Sequence, residues 1–202
     1  MRGHTGSPIA PNERISPDAI AEIVEAAAGG DQRAWDGLIG EFAGLIWAIA
    51  RAHRLSDADA ADVAQATWLR LFENLGRLHD PGRVGAWLAT TARRECLRIL
   101  RASARSLPVG DELPDRECSD LRPGDALIAG ERDRALWRSF SCLRASDQAL
   151  LRLLVADPAP AYDEIASALD MPIGSIGPTR QRALRRLSEE LEQQGALSLM
   201  TA

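Results

Sequence analysis

Arg94, Arg98, Arg101 and Arg105 are spaced i, i+4, i+7 and i+11, which on an α-helix makes one continuous cationic stripe. Arg93 flanks it, and Glu95 is the only acid between Asp80 and Asp111. A solvated helix normally interleaves acids with its bases. An arginine row without them suits a nucleic-acid backbone, because each guanidinium presents a planar fork of donors to phosphate. A second cluster, Arg180, Arg182, Arg185 and Arg186, runs without an acid until Glu189. Arginine pairs bidentately with guanine as well as with phosphate, so this cluster is suited to reading duplex DNA.

The elements that must carry these clusters follow from periodicity. Around the second cluster, Tyr162, Ile165, Ala166 and Leu169 fall at helical spacing. Asp170-Met171-Pro172 then breaks the helix, since the residue before a proline is pushed out of the helical region. Ser175 is expected to cap the next helix through its hydroxyl. Pro178 sits within the first turn of that helix, where its missing N–H costs nothing. The pattern predicts a helix-turn-helix, whose second helix typically enters a DNA major groove. Its expected DNA-facing residues are Ser175, Gly177, Thr179, Arg180, Gln181, Arg182, Arg185 and Arg186. A helical hairpin with a merely solvated basic face is the competing reading.

The first cluster lies on a helix whose other side, Val84, Leu88, Ala92, Cys96 and Ile99, can be buried. Upstream, Ser16-Pro17 begins a first helix and Asp31 caps a longer one with Trp35, Leu38, Ile39, Phe42, Leu45, Ile46 and Ile49 in a core stripe. Ser56-Asp57 opens a third helix, with Val63, Leu71, Phe72 and Leu75 available to the core. Its residues Asp62 and Gln65 share another face at i, i+3, the spacing of a solvated polar face as much as of a contact.

Composition sets the frame. The 202 residues are 46% hydrophobic and 26% charged, rich in Ala, Leu and Arg and without a single Lys. Strand signals are scarce, so the expected class is all-α. Two small helical domains joined by a flexible acidic linker are predicted. The boundaries are a disordered tail over 1–17, a first domain over 18–105, the linker over 106–125, a helix-turn-helix domain over 126–191 and a tail over 192–202. The linker reads as an extended tether, inert or functional. Net charge is −5 and the pI about 5.3, so positive charge is local and unaided affinity for DNA should be poor. That points to a partner that supplies much of the grip.

Cys96, Cys118 and Cys142 are far apart, as are His4, His53 and His79, which indicates neither a disulfide framework nor a metal site. No cofactor is expected. The residues after Met1 lack the apolar core of a signal peptide, and no apolar run approaches membrane-spanning length, so a cytoplasmic location is expected. There is no P-loop, G-x-G-x-x-G, H-E-x-x-H or G-x-S-x-G motif, and the chain is not expected to be an enzyme.

Taken together, residues from about Asp31 to Leu191 resemble the extracytoplasmic-function (ECF) sigma factors of bacteria. That resemblance implies a four-helix promoter-melting domain, a linker, and a four-helix domain ending in a helix-turn-helix. Asp59-Ala-Ala-Asp62-Val63-Ala-Gln65-Ala-Thr-Trp68-Leu-Arg70 is similar to the family's polymerase-clamp helix, which implies that Asp59, Asp62, Gln65 and Arg70 contact core RNA polymerase. Ala66 stands where the family usually has glutamate. Gly85-Ala-Trp87-Leu88-Ala-Thr-Thr-Ala-Arg93-Arg94-Glu-Cys-Leu-Arg98 is similar to the segment that melts the minus-ten element. It implies promoter contacts by Arg93, Arg94, Arg98, Arg101 and Arg105, and a base-holding loop near Thr91 to Glu95. The second domain resembles the minus-thirty-five reader, with Gly177-Pro178-Thr179-Arg180 in place of a common lysine-serine-arginine-leucine run and Asp170 in place of the usual turn glycine. The implied partners are core RNA polymerase, promoter DNA as duplex and melted strand, and an anti-sigma factor, with no membrane insertion. An ordinary helix-turn-helix regulator acting without polymerase, or a mimic that titrates an anti-sigma factor, are the competing functions.

Overall fold

The computed structural model describes residues 15–105 and 131–193. The expected linker and the greater part of both tails lie outside the described residues. Eight α-helices, two connecting turns of 3-10 helix in the first half and one in the second account for all the regular structure among the described residues, with no strand.

Helix α1 (Pro17–Ala28) starts inside the segment expected to be a tail. Ser16 accepts from the Ala19 N–H and Pro17 occupies the first helical position, so the start is chemically specified. It ends at Gly29–Gly30, where Gly30 takes φ +92°. Asp31 caps α2 (Gln32–Ala52) through the Arg33 and Ala34 N–H groups. Ser56 caps α3 (Asp57–Asn74) in the same way through Asp59 N–H. Two 3-10 turns, Leu75–Arg77 and Pro81–Arg83, lead into α4 (Val84–Arg105).

The second half contains α5 (Glu131–Ser141), α6 (Ala145–Leu154), α7 (Tyr162–Leu169) and α8 (Ile176–Gln193). Gln148 donates its side-chain amide to the Ser141 and Leu143 carbonyls, closing the exposed end of α5. Cys96 is free and buried in α4, and burial pushes its thiol up to about 12, which makes it an inert core residue.

The second half has small buried clusters of its own, around Ala135 and Leu191 and around Leu143, Leu151 and Ala183, and it also shares a larger one with the first half. Leu150, Leu153, Ile165, Ala168 and Ile176 belong to one buried cluster with Leu38, Ile46, Ile49, Leu71, Val84, Leu88 and Ala92. Helix α7 lies along α4, and α6 lies against α2. Glycine makes this approach possible. A Cβ at Gly85 would collide with the Glu164 carboxylate and come within 2.9 Å of the Phe42 ring, and one at Gly44 would meet Pro158 at 3.0 Å. Phe72 departs from expectation: it is 69% exposed rather than in the core.

Candidate nucleic-acid interface

Helices α3 and α4 enclose an open groove of about 560 Å³ lined by Leu69, Arg70, Trp87, Thr91, Arg94 and Arg98, among others. At its base Glu95 is buried, with its carboxylate held by Arg70 at 2.7 Å and by Arg98 at 2.7 Å. A buried carboxylate without such partners would be strongly unfavourable. Two of the expected contact arginines therefore have a structural task in pairing with the buried Glu95 carboxylate. Arg70, expected to touch polymerase, is half exposed and lines this groove.

Arg94 and Arg101 are exposed on the same helix, and Arg105 ends it. The expected loop at Thr91–Glu95 is absent: these residues lie within continuous α4. The Thr91 hydroxyl donates to the Trp87 carbonyl at 2.9 Å, one turn back, which returns its polar group to the helix. The groove still brings together a half-buried indole, a cationic wall and an opening to solvent. That set can stack a base and pair with its phosphates.

The helix-turn-helix is present, with a different junction. Asp170 takes the left-handed conformation (φ 56°, ψ 51°) that ends α7. Asp accepts that geometry better than most residues, which explains how it serves in a turn where glycine is usual. Ser175 is not the cap expected of it. It ends a 3-10 turn over Ile173–Ser175, and its hydroxyl donates back to the Pro172 carbonyl at 2.6 Å. Helix α8 then buries Ile176, Ala183 and Leu191.

This registers Gly177, Arg180, Gln181, Arg182 and Arg185 outward. Arg182 donates to the half-buried Thr179 hydroxyl at 3.0 Å, and Arg185 lies 3.5 Å from Glu189. Arg186 does not join them. Its guanidinium pairs with Asp147 of α6, whose side chain is only 4% exposed. It fastens the recognition helix to its own domain.

On α3, Asp62 and Gln65 are both exposed, on one face as expected. Asp59 is committed to the helix start, accepting the Ser56 hydroxyl at 2.6 Å. The same face continues at i+7 and i+10 with Leu69 and Phe72, 57% and 69% exposed. The Phe72 ring lies 5.9 Å from that of Trp35, and Ile39 of α2 is also exposed. Sequence reasoning missed this apolar extension. The signal was available, because Leu69 and Phe72 stand four and seven residues beyond Gln65, off the Val63–Leu71 stripe.

No described helix is long and apolar enough to cross a membrane, and the described residues hold no cluster of metal-binding side chains. A helical groove with a cationic wall beside a helix-turn-helix has the make-up of a nucleic-acid-binding class of protein.

The comparisons agree with that class. Residues 38–106 match the sigma-70 region 2 family model. The chain is 26% identical over 193 residues to ECF RNA polymerase sigma factor SigD of Mycobacterium tuberculosis, covering 93% of this chain and 91% of SigD. It is 27% identical over 172 residues to "Probable RNA polymerase sigma factor RfaY" of Xanthomonas campestris pv. campestris, covering 83% of this chain and 42% of RfaY. In fold it is similar to CnrH in complex with the cytosolic domain of CnrY, with TM-score 0.59 and 20% identity over 87% of this chain and 99% of CnrH. It is also similar to the sigma factor RpoE of Bartonella quintana, solved with the anti-sigma factor NepR. There the TM-score is 0.54 and the identity 21%, over 78% of this chain and 97% of RpoE. A sigma-70 region 2 domain, ECF sigma factors among the relatives and sigma-factor folds among the structural neighbours together support an ECF sigma factor.

Proposed function

We propose that this chain is an alternative sigma factor that binds core RNA polymerase in the cytoplasm, carries it to particular promoters and helps open the DNA there. The observation that carries this reading is the exposed line Asp62, Gln65, Leu69 and Phe72 on α3, backed by Trp35. Two large apolar side chains left in solvent beside paired polar groups are characteristic of a protein-docking surface. Polymerase is the partner that fits, because α4 on the other wall of the groove presents arginines to DNA. One partner on α3 and melted DNA on α4 can be engaged together.

In this reading Arg94, Arg98 and Arg101 run along the separated strand, and Trp87 in the groove offers a face on which an unstacked base can rest. Arg180, Gln181, Arg182 and Arg185 meet the upstream duplex. An anti-sigma factor is the natural antagonist, as CnrY and NepR are found with the two structural neighbours.

The test separates the two faces. Phe72→Ala should lower affinity for core polymerase roughly tenfold, the loss typical of a contact aromatic, in co-purification or titration. The Arg94→Ala/Arg101→Ala variant should bind polymerase normally and fail to make promoter thymines reactive to permanganate. Unchanged polymerase affinity in Phe72→Ala together with Asp62→Ala/Gln65→Ala would overturn the polymerase assignment.

A further inference from the structure

Arg93 belongs to the cationic helix but not to its open surface. Arg94 beside it faces solvent, while the Arg93 side chain is 25% exposed and donates to Asp170 Oδ2 at 2.9 Å. Asp170 is the left-handed turn residue between α7 and α8, so this ion pair joins the α4 arginines to the helix-turn-helix across 77 positions of sequence. The contact is not solitary. Ile165 and Ala168 of α7 share a buried cluster with α4, the His53 ring hydrogen-bonds the Ala168 backbone, and Glu164 lies over Gly85.

We propose that Arg93 and Asp170 form an autoinhibitory latch, in which the Asp170 carboxylate occupies the place of a nucleic-acid phosphate. Carboxylate and phosphate oxygens compete for the same guanidinium fork. Docking of the helix-turn-helix on α4 and use of Arg93 by DNA are then mutually exclusive. The apolar contact between α7 and α4 supplies most of the closure, since an ion pair this exposed is weak. What the pair adds is sensitivity: a strand reaching α4 displaces Asp170 and loosens α7 in the same event. This inference rests on α4 being the nucleic-acid face.

The experiment uses the full chain with a fluorescence donor and acceptor on non-natural residues at Glu22 and Ser188, both exposed. Energy transfer reports closure, and anisotropy with a labelled single-stranded oligonucleotide reports access to α4. Asp170→Asn keeps a side chain that tolerates the left-handed turn while removing the charge. It should reduce transfer and raise oligonucleotide affinity about two- to fivefold, the scale of one exposed ion pair. Arg93→Asp should lose both closure and affinity, and Arg93→Asp/Asp170→Arg should recover closure.

If Asp170→Asn leaves transfer and affinity unchanged, the latch is refuted. The same holds if transfer falls while affinity stays constant, because closure then does not shield Arg93. If Arg94→Ala/Arg101→Ala binds the oligonucleotide as the unmodified chain does, the nucleic-acid reading of α4 fails instead, whatever Asp170→Asn does to transfer.

Discussion

Arg182 and Arg186 stand one helical turn apart on α8 and have different tasks. Arg186→Ala would leave the buried Asp147 carboxylate without its partner, at a cost of about 1–3 kcal/mol. We expect that loss in the denaturation midpoint, with a lower yield of folded protein. Arg182→Ala should change stability by no more than about 0.5 kcal/mol, because its contact is an exposed one with Thr179. If it reads a base, it should cost about 1–3 kcal/mol of promoter binding and relax preference at one position. The arginine run was legible in the sequence, but its division was not. Asp147 lies 39 residues upstream, and periodicity along one helix carries no information about which arginine meets it. Phe72 fell the other way for a similar reason: hydrophobicity suggested burial, whereas the register of α3 turns it outward.

Helix α4 shows how far local rules reach. Its alternation of Val84, Leu88, Ala92 and Cys96 against arginine fixes a helix with one buried face, and that is what forms. The long helices and three of the helix starts, at Ser16, Asp31 and Ser56, were readable because capping chemistry is local. Ser175 was misassigned because a 3-10 turn places its hydroxyl over Pro172 instead of the next helix, a choice made by backbone geometry. Gly85 was not singled out at all, and it is where α4 admits Glu164 and the edge of Phe42. Gly85→Ala should raise intrinsic helix propensity yet destabilise the protein by about 1–3 kcal/mol, as overpacking does. A calorimetric scan reads the sign directly. A stabilised Gly85→Ala variant would mean that α7 does not press on α4.

Across the whole molecule, the closed arrangement of the two halves has a pH dependence that His53 sets. Burial lowers its pKa below 6.5, the Arg93 charge lowers it further, and the bond to the Ala168 backbone opposes both. Its Nε2 is buried without a partner. When α7 lifts away, the ring returns toward its ordinary 6.5. The open form therefore binds the proton more readily, and closure is fullest above pH 6.5 and weakens as pH falls through that value toward the lowered one. Hydrogen exchange of α7 should speed up between pH 7.5 and about 5.5, after correction for intrinsic rates, and His53→Gln should remove that dependence. None of this packing of α7 on α4 was legible in the sequence, because the periodicity of one helix does not report which distant helix covers it. The consequence is practical. A fragment cut at residue 105 would keep all four of its helices and every residue with chemistry on α3 and α4, yet would expose the strip along Gly44 and Gly85 that α6, α7 and Pro158 cover. Such a fragment would pair that bare strip with copies of itself, so an isolated first half should be judged by its oligomeric state before its binding constants are compared with those of the intact chain.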